Sequence, residues 1–427
     1  MQSSKATKYI SNYLDTRCID IFYSQIASIN PVEVIIVIPA YDESIDTLKR
    51  SMDSVQLSKD GHIKFKLFLL INYKDSDTDQ LKKLSHNIYT SLSRDYEGEE
   101  SVEIGIVEMK GKIAGVGYAR KILMDAAVRF FSDIGRNGII VNLDADTLVE
   151  QNYVSAIYQH FENHPGHEAV SICYAHDDID SNNAILNYEL HLRYFINMQR
   201  HIRLPYAYQT IGSAMAVKSH SYAKEGGMSL RQAGEDFYFL HKFSRNLSLA
   251  DMATTVVAPS GRSSHRVPFG TGKAVSLFRQ NITTEIMTYN PKSFVVLAEM
   301  LQAVEGHLSS SVSITLPKLQ FFTDQLDIDH HLDRILQSSR DPIKRVKNFY
   351  AWFDAFQLMK YLHYMRADYP DIAITEGLDF LFATKGISRS PSLKEDLVLL
   401  RKIDLATDYH TQWRAGLISR LSSTNAS

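Results

Sequence analysis

Two cysteines, Cys18 and Cys173, are all that the 427-residue chain contains. They cannot build a disulfide framework, so a reducing cytosol is the expected setting. Charge of one sign is lacking too: 46 Lys and Arg against 49 Asp and Glu leave a formal net charge of -3. That balance excludes a basic nucleic-acid coat, and with it nucleic acid as the expected partner, as well as an acidic disordered tail. No apolar run approaches the roughly 20 residues that cross a bilayer. The best stretch, Ser293 to Leu301, follows Lys292 and contains Glu299. Met1 to Leu14 lacks the apolar centre of a signal peptide. A cytoplasmic protein without a transmembrane segment is expected, with peripheral membrane contact and the oligomeric state left open. What the chain does have is 44% hydrophobic and 11% aromatic residues, enough for a large core. Its length exceeds the usual ceiling for one core and predicts two units of structure.

Residues 1–30 read as an amphipathic helical lead-in closed by Pro31. Val32 to Ile38 is then a nearly unbroken β-branched run, apolar on both faces, as a central parallel strand would be. Ser44 is placed as the N-cap of a helix over Ile45 to Leu57. Further strands are predicted at Phe65 to Ile71, Val102 to Met109, Gly138 to Leu143 and Val170 to Tyr174. Helices are expected between them, at Asp77 to Leu92, Tyr118 to Ile134 and Asn152 to Asn163. Five rounds of alternation imply an α/β fold: a mostly parallel central sheet flanked by helices, with a ligand crevice at the strand C-ends. After Asn182 come a long helix to about Arg203, short strands near Ser213 to Val217 and Thr254 to Val257, and a mainly α-helical C-terminal region. The expected organisation is a lead-in over 1–30, an α/β domain over 31–272 and a helical domain over 273–427.

Five stretches could carry chemistry. Asp144-Ala145-Asp146 closes the fourth strand, where two carboxylates can share one hard divalent cation, Mn²⁺ or Mg²⁺, that keeps room for phosphate oxygens. A surface turn rich in aspartate would look the same. Pro39, Ala40, Tyr41, Asp42 and Glu43 follow the first strand, where such loops contact nucleotides; equally, Asp42 and Glu43 could complement a helix dipole. The stretch from Lys110 to Lys121 opens a helix and carries Gly111, Gly115 and Gly117 beside Lys112 and Arg120, a composition that lets backbone and cations approach phosphate. It lacks the spacing of a Walker A loop. Glu235-Asp236 begins a helix after Gly212-Ser213, and one of these acids could act as a general base near an acceptor hydroxyl. Finally, Arg262, His265, Arg266 and Lys273 lie in a long polar loop in which an arginine pair would suit a diphosphate and His265 could be a metal ligand.

The order Ile-Pro-Ala-Tyr, Asp75-Ser76-Asp77, the helix with Arg120, Asp-x-Asp and Glu-Asp resembles the family-2 glycosyltransferases of the GT-A fold over about Val34 to Gly272. The Val-Pro-Phe-Gly-Thr-Gly stretch looks like a loop of soluble bacterial members. The resemblance implies a UDP- or GDP-sugar donor, a divalent cation on its diphosphate, inversion at the anomeric carbon, and a glycan, lipid-linked or small-molecule acceptor in bacterial surface glycan or glycoconjugate assembly. It places Pro39, Ala40, Tyr41 and Glu43 in the nucleotide pocket, Asn72 or Asp75 at the base and Arg120 toward the donor, where Lys112, Asp144, Arg262 and Arg266 are also expected from their own chemistry. By resemblance Asp146 falls to the metal, Asp236 to the catalytic base with Glu235 beside it, and Gly212 and Ser213 to the acceptor; Asp144 and His265 are the further metal ligands that the residues themselves suggest. Lys121 stands where the family often has Asn. No Gln-x-x-Arg-Trp follows Asp236, which together with the missing membrane span argues against a processive synthase. The rival readings are a retaining transferase on the same fold, a nucleotidyltransferase, and a non-catalytic nucleotide-binding scaffold.

Overall fold

A computed structural model of the chain describes residues 2–59, 61–177, 179, 183–231, 234–246, 248–262, 286–310, 321–406 and 408–423. It divides into two compact units, Met1–Asp180 with Thr210–Ser276, and Ser181–Gln209 with Leu277–Ser427. The division is not the linear one expected at residue 272. The helix α6 (Asn183–His201) packs with the C-terminal helices Ile374–Thr384 and Leu393–Ala406.

The first unit is built on an eight-stranded sheet. Strand β1 (Val34–Ala40) is branched and apolar on both faces and is buried almost throughout. It pairs in parallel with β2 (Phe65–Lys74) and β4 (Ile139–Asn142), and β2 pairs in parallel with β3 (Val102–Met109). Beyond β4 lie β7 (Met215–Lys218), β6 (Ala169–Tyr174), β8 (Leu249–Ala258) and the edge strand β5 (Leu148–Val149). β6 is antiparallel to β7 and parallel to β8, so only β5 and β7 run against the other strands. The sheet is mostly parallel, and the C-terminal ends of β1, β4, β6 and β8 share one edge. The helices α2 (Ile45–Gln56), α3 (Asp79–Asp95), α4 (Val116–Asp133) and α5 (Tyr153–Asn163) are the crossovers that follow β1, β2, β3 and β5. Ser44 caps α2 as expected, its hydroxyl accepting the Thr47 N–H at 3.1 Å.

The differences from the sequence reading have local causes. β2 runs to Lys74 rather than Ile71, because β3 offers partners as far as Met109. Asn72 therefore lies within a strand. β5 has two residues and α7 (Ser219–Lys224) six, too few for either to show a period. The lead-in is not one helix to Asn30: α1 (Gln2–Thr16) ends and only a short turn, Tyr23–Gln25, follows. There the Ile19 N–H leaves the helical ladder and donates to Asp125 Oδ2 at 2.8 Å.

Asp125 is the hub that ties α1 to the sheet domain. It is fully buried in α4, accepts the Tyr13 and Tyr222 hydroxyls at 2.6 and 2.8 Å, and pairs with Lys121 at 2.7 Å. Lys121, the departure from the family pattern, is therefore a structural cation. Burial pushes the Asp125 carboxyl up, and Lys121 and the two hydroxyls oppose it. Tyr13→Phe deletes one hydrogen bond to this carboxylate and should cost about 1.5–3 kcal/mol, read as a lower urea midpoint. An unchanged midpoint would remove Tyr13 from the network.

The second unit is helical. Its buried ion network joins Glu189 and Arg193 at 2.8 Å, Arg401 to Glu189 at 2.6 Å, and Arg193 and Arg200 to Asp404. Of the stripe Phe349, Trp352, Phe353, Phe356 and Leu358 to Leu362, whose helical spacing suggests core, Phe349, Phe353, Leu358 and Leu362 are buried, whereas Trp352 is half-buried and Phe356 is exposed. Arg345 donates to the Ser339 and Leu308 carbonyls at 2.7 and 3.2 Å. Among the described residues no helix is long and apolar enough to cross a membrane, and Cys18 and Cys173 are free thiols.

Candidate active site

At the carboxyl edge of the sheet two guanidinium groups organise four acids. β4 ends in Asn142, and the turn that follows presents Asp144 and Asp146. After β1 the chain turns through Asp42, at a φ of 52°, and aims Glu43 into the same region. Beyond β8, Arg262 donates from Nε to Asp146 Oδ2 at 2.6 Å and from Nη2 to Glu43 Oε1. On the other side of the turn, Arg120 in the first turns of α4 donates to Asp144 Oδ1 at 2.5 Å and to Glu235 Oε1. The Asp-Ala-Asp turn thus links a Glu43–Arg262–Asp146 set to an Asp144–Arg120–Glu235 set.

Glu235 and Asp236 open the helix α8 (Glu235–Arg245) after Gly234, whose φ of 69° lies in the left-handed region. The two acids have different surroundings. Glu235 is buried against Arg120, whereas Asp236 is half-buried and, among the described residues, its carboxylate accepts the Phe237 N–H at 2.7 Å. Loss of water and then the neighbouring Glu235 charge push the Asp236 carboxyl up to about 7, against the pull of Arg120 and the Phe237 N–H. Burial also raises Asp146; Arg262 counters it, while Asp144 and Glu43 add to it. Burial works against the Arg120 charge, but Asp144, Glu235 and Asp236 outweigh it and the guanidinium stays protonated. Arg262 is held charged in the same way, burial being overcome by Glu43 and Asp146.

The donor set fits a hard divalent cation. It is all carboxylate oxygen, Asp144 and Asp146 retain 41% and 21% of their side-chain exposure, and the Arg262 guanidinium drawn between Asp146 and Glu43 shows that these acids attract positive charge. Next to it, the fully buried Asn142 has neither amide atom hydrogen-bonded among the described residues, and the same holds for Arg120 Nε and Ser213 Oγ.

The remaining expected residues fall into place unevenly. Pro39 and Ala40 end β1, and the Tyr41 hydroxyl donates to Asp77 Oδ1 at 3.0 Å beside Lys74. Asn72 is buried in β2 with its Oδ1 unpartnered among the described residues. Asp75 lies in the following loop, where its carboxylate accepts the Gly111 N–H at 3.3 Å. Lys112 is exposed on the short turn Gly111–Ile113. Gly117, expected to let backbone approach phosphate, and Gly212, expected at the acceptor, are both closely packed. A Cβ on Gly117 would stand 2.4 Å from the Arg231 carbonyl oxygen, and one on Gly212 would stand 2.4 Å from Arg120 Nη2. Gly212 thus makes room for the guanidinium, next to buried Ser213. His265 and Arg266, with Lys273, lie outside the described residues. Sequence reasoning overlooked Asp77, which holds both Tyr41 and the Lys74 N–H, the latter at 2.7 Å; its Asp-Ser-Asp setting was the available signal. It also overlooked the amide of Asn142, although the residue lies in the same turn motif.

No protein-family model and no curated protein sequence matches the chain. Among solved structures it is similar to S. aureus TarS 1-349 in complex with UDP-GlcNAc, at 12% identity over 84% of this chain and 93% of that one, with a TM-score of 0.38. It is also similar to the mannosyltransferase PcManGT from Pyrobaculum calidifontis in complex with GDP-Man and Mn²⁺, at 13% identity over 100% of this chain and 96% of that one, with a TM-score of 0.37. Likenesses at these scores carry no argument about the chemistry, which rests on the geometry above.

Proposed function

We propose that the chain is a metal-dependent, inverting glycosyltransferase of the GT-A type, related to family 2, that moves a sugar from a UDP- or GDP-sugar to an acceptor hydroxyl. The observation that carries this reading is the convergence of Asp144, Asp146 and Glu43 at the strand ends with one half-buried, proton-affine acid, Asp236, across Arg120. Asp144 and Asp146 would hold a divalent cation, Mn²⁺ or Mg²⁺, which supplies charge neutralisation as negative charge develops on the departing diphosphate. Asp236 takes the proton of the acceptor hydroxyl. The new C–O bond forms on the face of the anomeric carbon opposite the breaking bond to the diphosphate, which inverts the centre. Glu235 is a positioning residue: its carboxylate is spent on Arg120, and its charge raises the affinity of Asp236 for a proton. Arg120 keeps that affinity from rising further and orients Asp144. Pro39, Ala40, Tyr41 and Asn72 are assigned to the nucleotide and its base, with Asp75 in the adjoining loop, while Lys112, Arg262 and Arg266 are the cations for the phosphates. His265 is kept as a further metal ligand in the proposal. Gly212 and Ser213 are assigned to the acceptor side. A cytoplasmic enzyme of surface glycan or glycoconjugate assembly fits the free thiols.

The test is thermal stabilisation across a panel of nucleotide sugars, with and without Mn²⁺. A cognate donor at a hundredfold its Kd should stabilise by about 2.7 kcal/mol, and Asp146→Ala should remove the Mn²⁺-dependent part. If no nucleotide sugar shifts the melting temperature, the donor assignment fails. Once transfer is observed, a product that keeps the donor's anomeric configuration would overturn inversion in favour of a retaining enzyme.

A further inference from the structure

The end of α5 carries a second constellation that the carboxylate site does not use. His160 lies in the last turn of the helix, His164 is the first residue beyond it, and His167 follows a Pro-Gly turn. One ring nitrogen from each lies within 4.8 Å of the others. The rings of His164 and His167 stack 5.0 Å apart at an interplanar angle of 4°, and His160 Nε2 lies 3.1 Å from His167 Nδ1. Three imidazoles brought this close repel one another once they carry protons and share a cation readily when neutral.

We propose that His160, His164 and His167 form a binding site for a borderline transition-metal ion of the Zn²⁺ class, separate from the carboxylate site. Imidazole nitrogen suits Zn²⁺, Ni²⁺ and Co²⁺, whereas Mg²⁺ and Mn²⁺ prefer oxygen. Around a tetrahedral ion with bonds of about 2.0–2.1 Å, ligand nitrogens stand about 3.3 Å apart. The closing required is about 1.5 Å at most, within the reach of side-chain rotation. The fourth position is left to water, since His164 is exposed and the other two rings are half-buried.

The backbone holds this geometry in advance. The His164 N–H donates to the His160 carbonyl at 3.0 Å and the His167 N–H to the His164 carbonyl at 2.9 Å. The Lys218 ammonium fixes the intervening turn on the Pro165 carbonyl at 3.0 Å, and the Glu168 N–H continues into the sheet on the Ser248 carbonyl at 2.9 Å. A carbonyl can only accept, so the contact of 2.9 Å from His164 Nδ1 to the His160 carbonyl fixes Nδ1 as the protonated nitrogen and leaves the lone pair on Nε2. One proton must lie between His160 and His167 in their contact, and metal binding displaces it.

The position separates this site from the proposed donor site. His167 precedes the N-terminal end of β6, whereas Asp144 and Asp146 follow the C-terminal end of β4, and the two strands run the same way. The two sites therefore lie at opposite edges of the sheet, on the order of 20 Å apart for a strand of this length.

The experiment is titration of the untagged full chain with Zn²⁺ by calorimetry, and with Co²⁺ by visible absorption. One equivalent should bind, and bound Co²⁺ should show the intense d–d bands of a four-coordinate site. His164→Ala should weaken Zn²⁺ binding more than about 100-fold, since even losing a supporting contact of a metal ligand costs 10–100-fold. His164 is exposed, so the variant should fold, and an unchanged metal-free melting curve verifies this. Asp146→Ala should leave Zn²⁺ binding intact while changing any response to Mn²⁺. Zn²⁺ binding that survives His164→Ala, that is lost in Asp146→Ala, or that never saturates at one equivalent would overturn the site. The Zn²⁺ and Co²⁺ results leave untouched the glycosyltransferase reading, which the Mn²⁺ and nucleotide-sugar experiments test independently.

Discussion

Asp236→Asn is expected to lower kcat by about 10²–10⁴-fold, the usual contribution of a positioned base, while leaving the affinity for the nucleotide sugar near that of the parent chain. The pH dependence makes the expectation specific. An ordinary aspartate loses its proton near pH 4, but Asp236 is pushed up to about 7 by burial and by Glu235. A base works only when deprotonated, so activity should fall as pH drops through about 7, by about tenfold per unit below it. An acidic limb centred near pH 4 would remove Asp236 from the role of base, as would a variant that transfers sugar at the parent rate. The same shift has a consequence for stability. A carboxyl whose folded-state pKa is raised binds its proton more tightly in the folded chain, so stability is lost as pH climbs from the ordinary carboxylate range to about 7. Asparagine cannot ionise and escapes that loss. At pH 8 the Asp236→Asn protein should therefore melt above the parent, and equal melting temperatures would contradict a charge held out of water.

Arg120→Ala should cost about 3–5 kcal/mol of stability, the penalty for leaving a buried charge without its partner. The charge in question is Glu235, which is 2% exposed and held by Arg120 Nη1, while Nη2 holds Asp144 at 2.5 Å. Arg120→Lys keeps a charge but loses the planar fork that serves two acids at once, so it should recover only part of the loss. Activity offers a second readout. Burial and Glu235 raise Asp236, and Arg120 is the opposing charge, so its removal should move the acidic limb of the pH–rate profile to higher pH. Denaturant midpoints of both variants and the pH profile of Arg120→Ala test the two effects separately. A destabilised Arg120→Ala protein with an unmoved acidic limb would make Arg120 a structural residue only.

The local features of this site are written in the sequence. β1 announces itself because a strand covered on both faces must be apolar on both, and Val34 to Ile38 is. Ser44 caps α2 through a contact three residues along the chain. Asp144 and Asp146 stand where a buried strand must turn. Short-range preferences suffice for each of these. The choice between Glu235 and Asp236 is of another kind. Adjacent acids at a helix start are equivalent until Arg120, 115 positions away, takes one of them.

The alternation of strands and helices, the cap of α2 and the carboxylates at the strand ends were determined by the sequence alone, because each follows from periodicity or from neighbours within a few residues. Tertiary structure decided what those residues meet. Arg262 reaches Glu43 across 219 positions, Gly212 and Gly117 are needed for the side chain and carbonyl packed against them, and α6 joins the second unit through buried partners such as Asp404. Such pairings arise only when packing closes long loops. The free energy that selects them, from desolvated charge and filled volume, has no counterpart in local sequence.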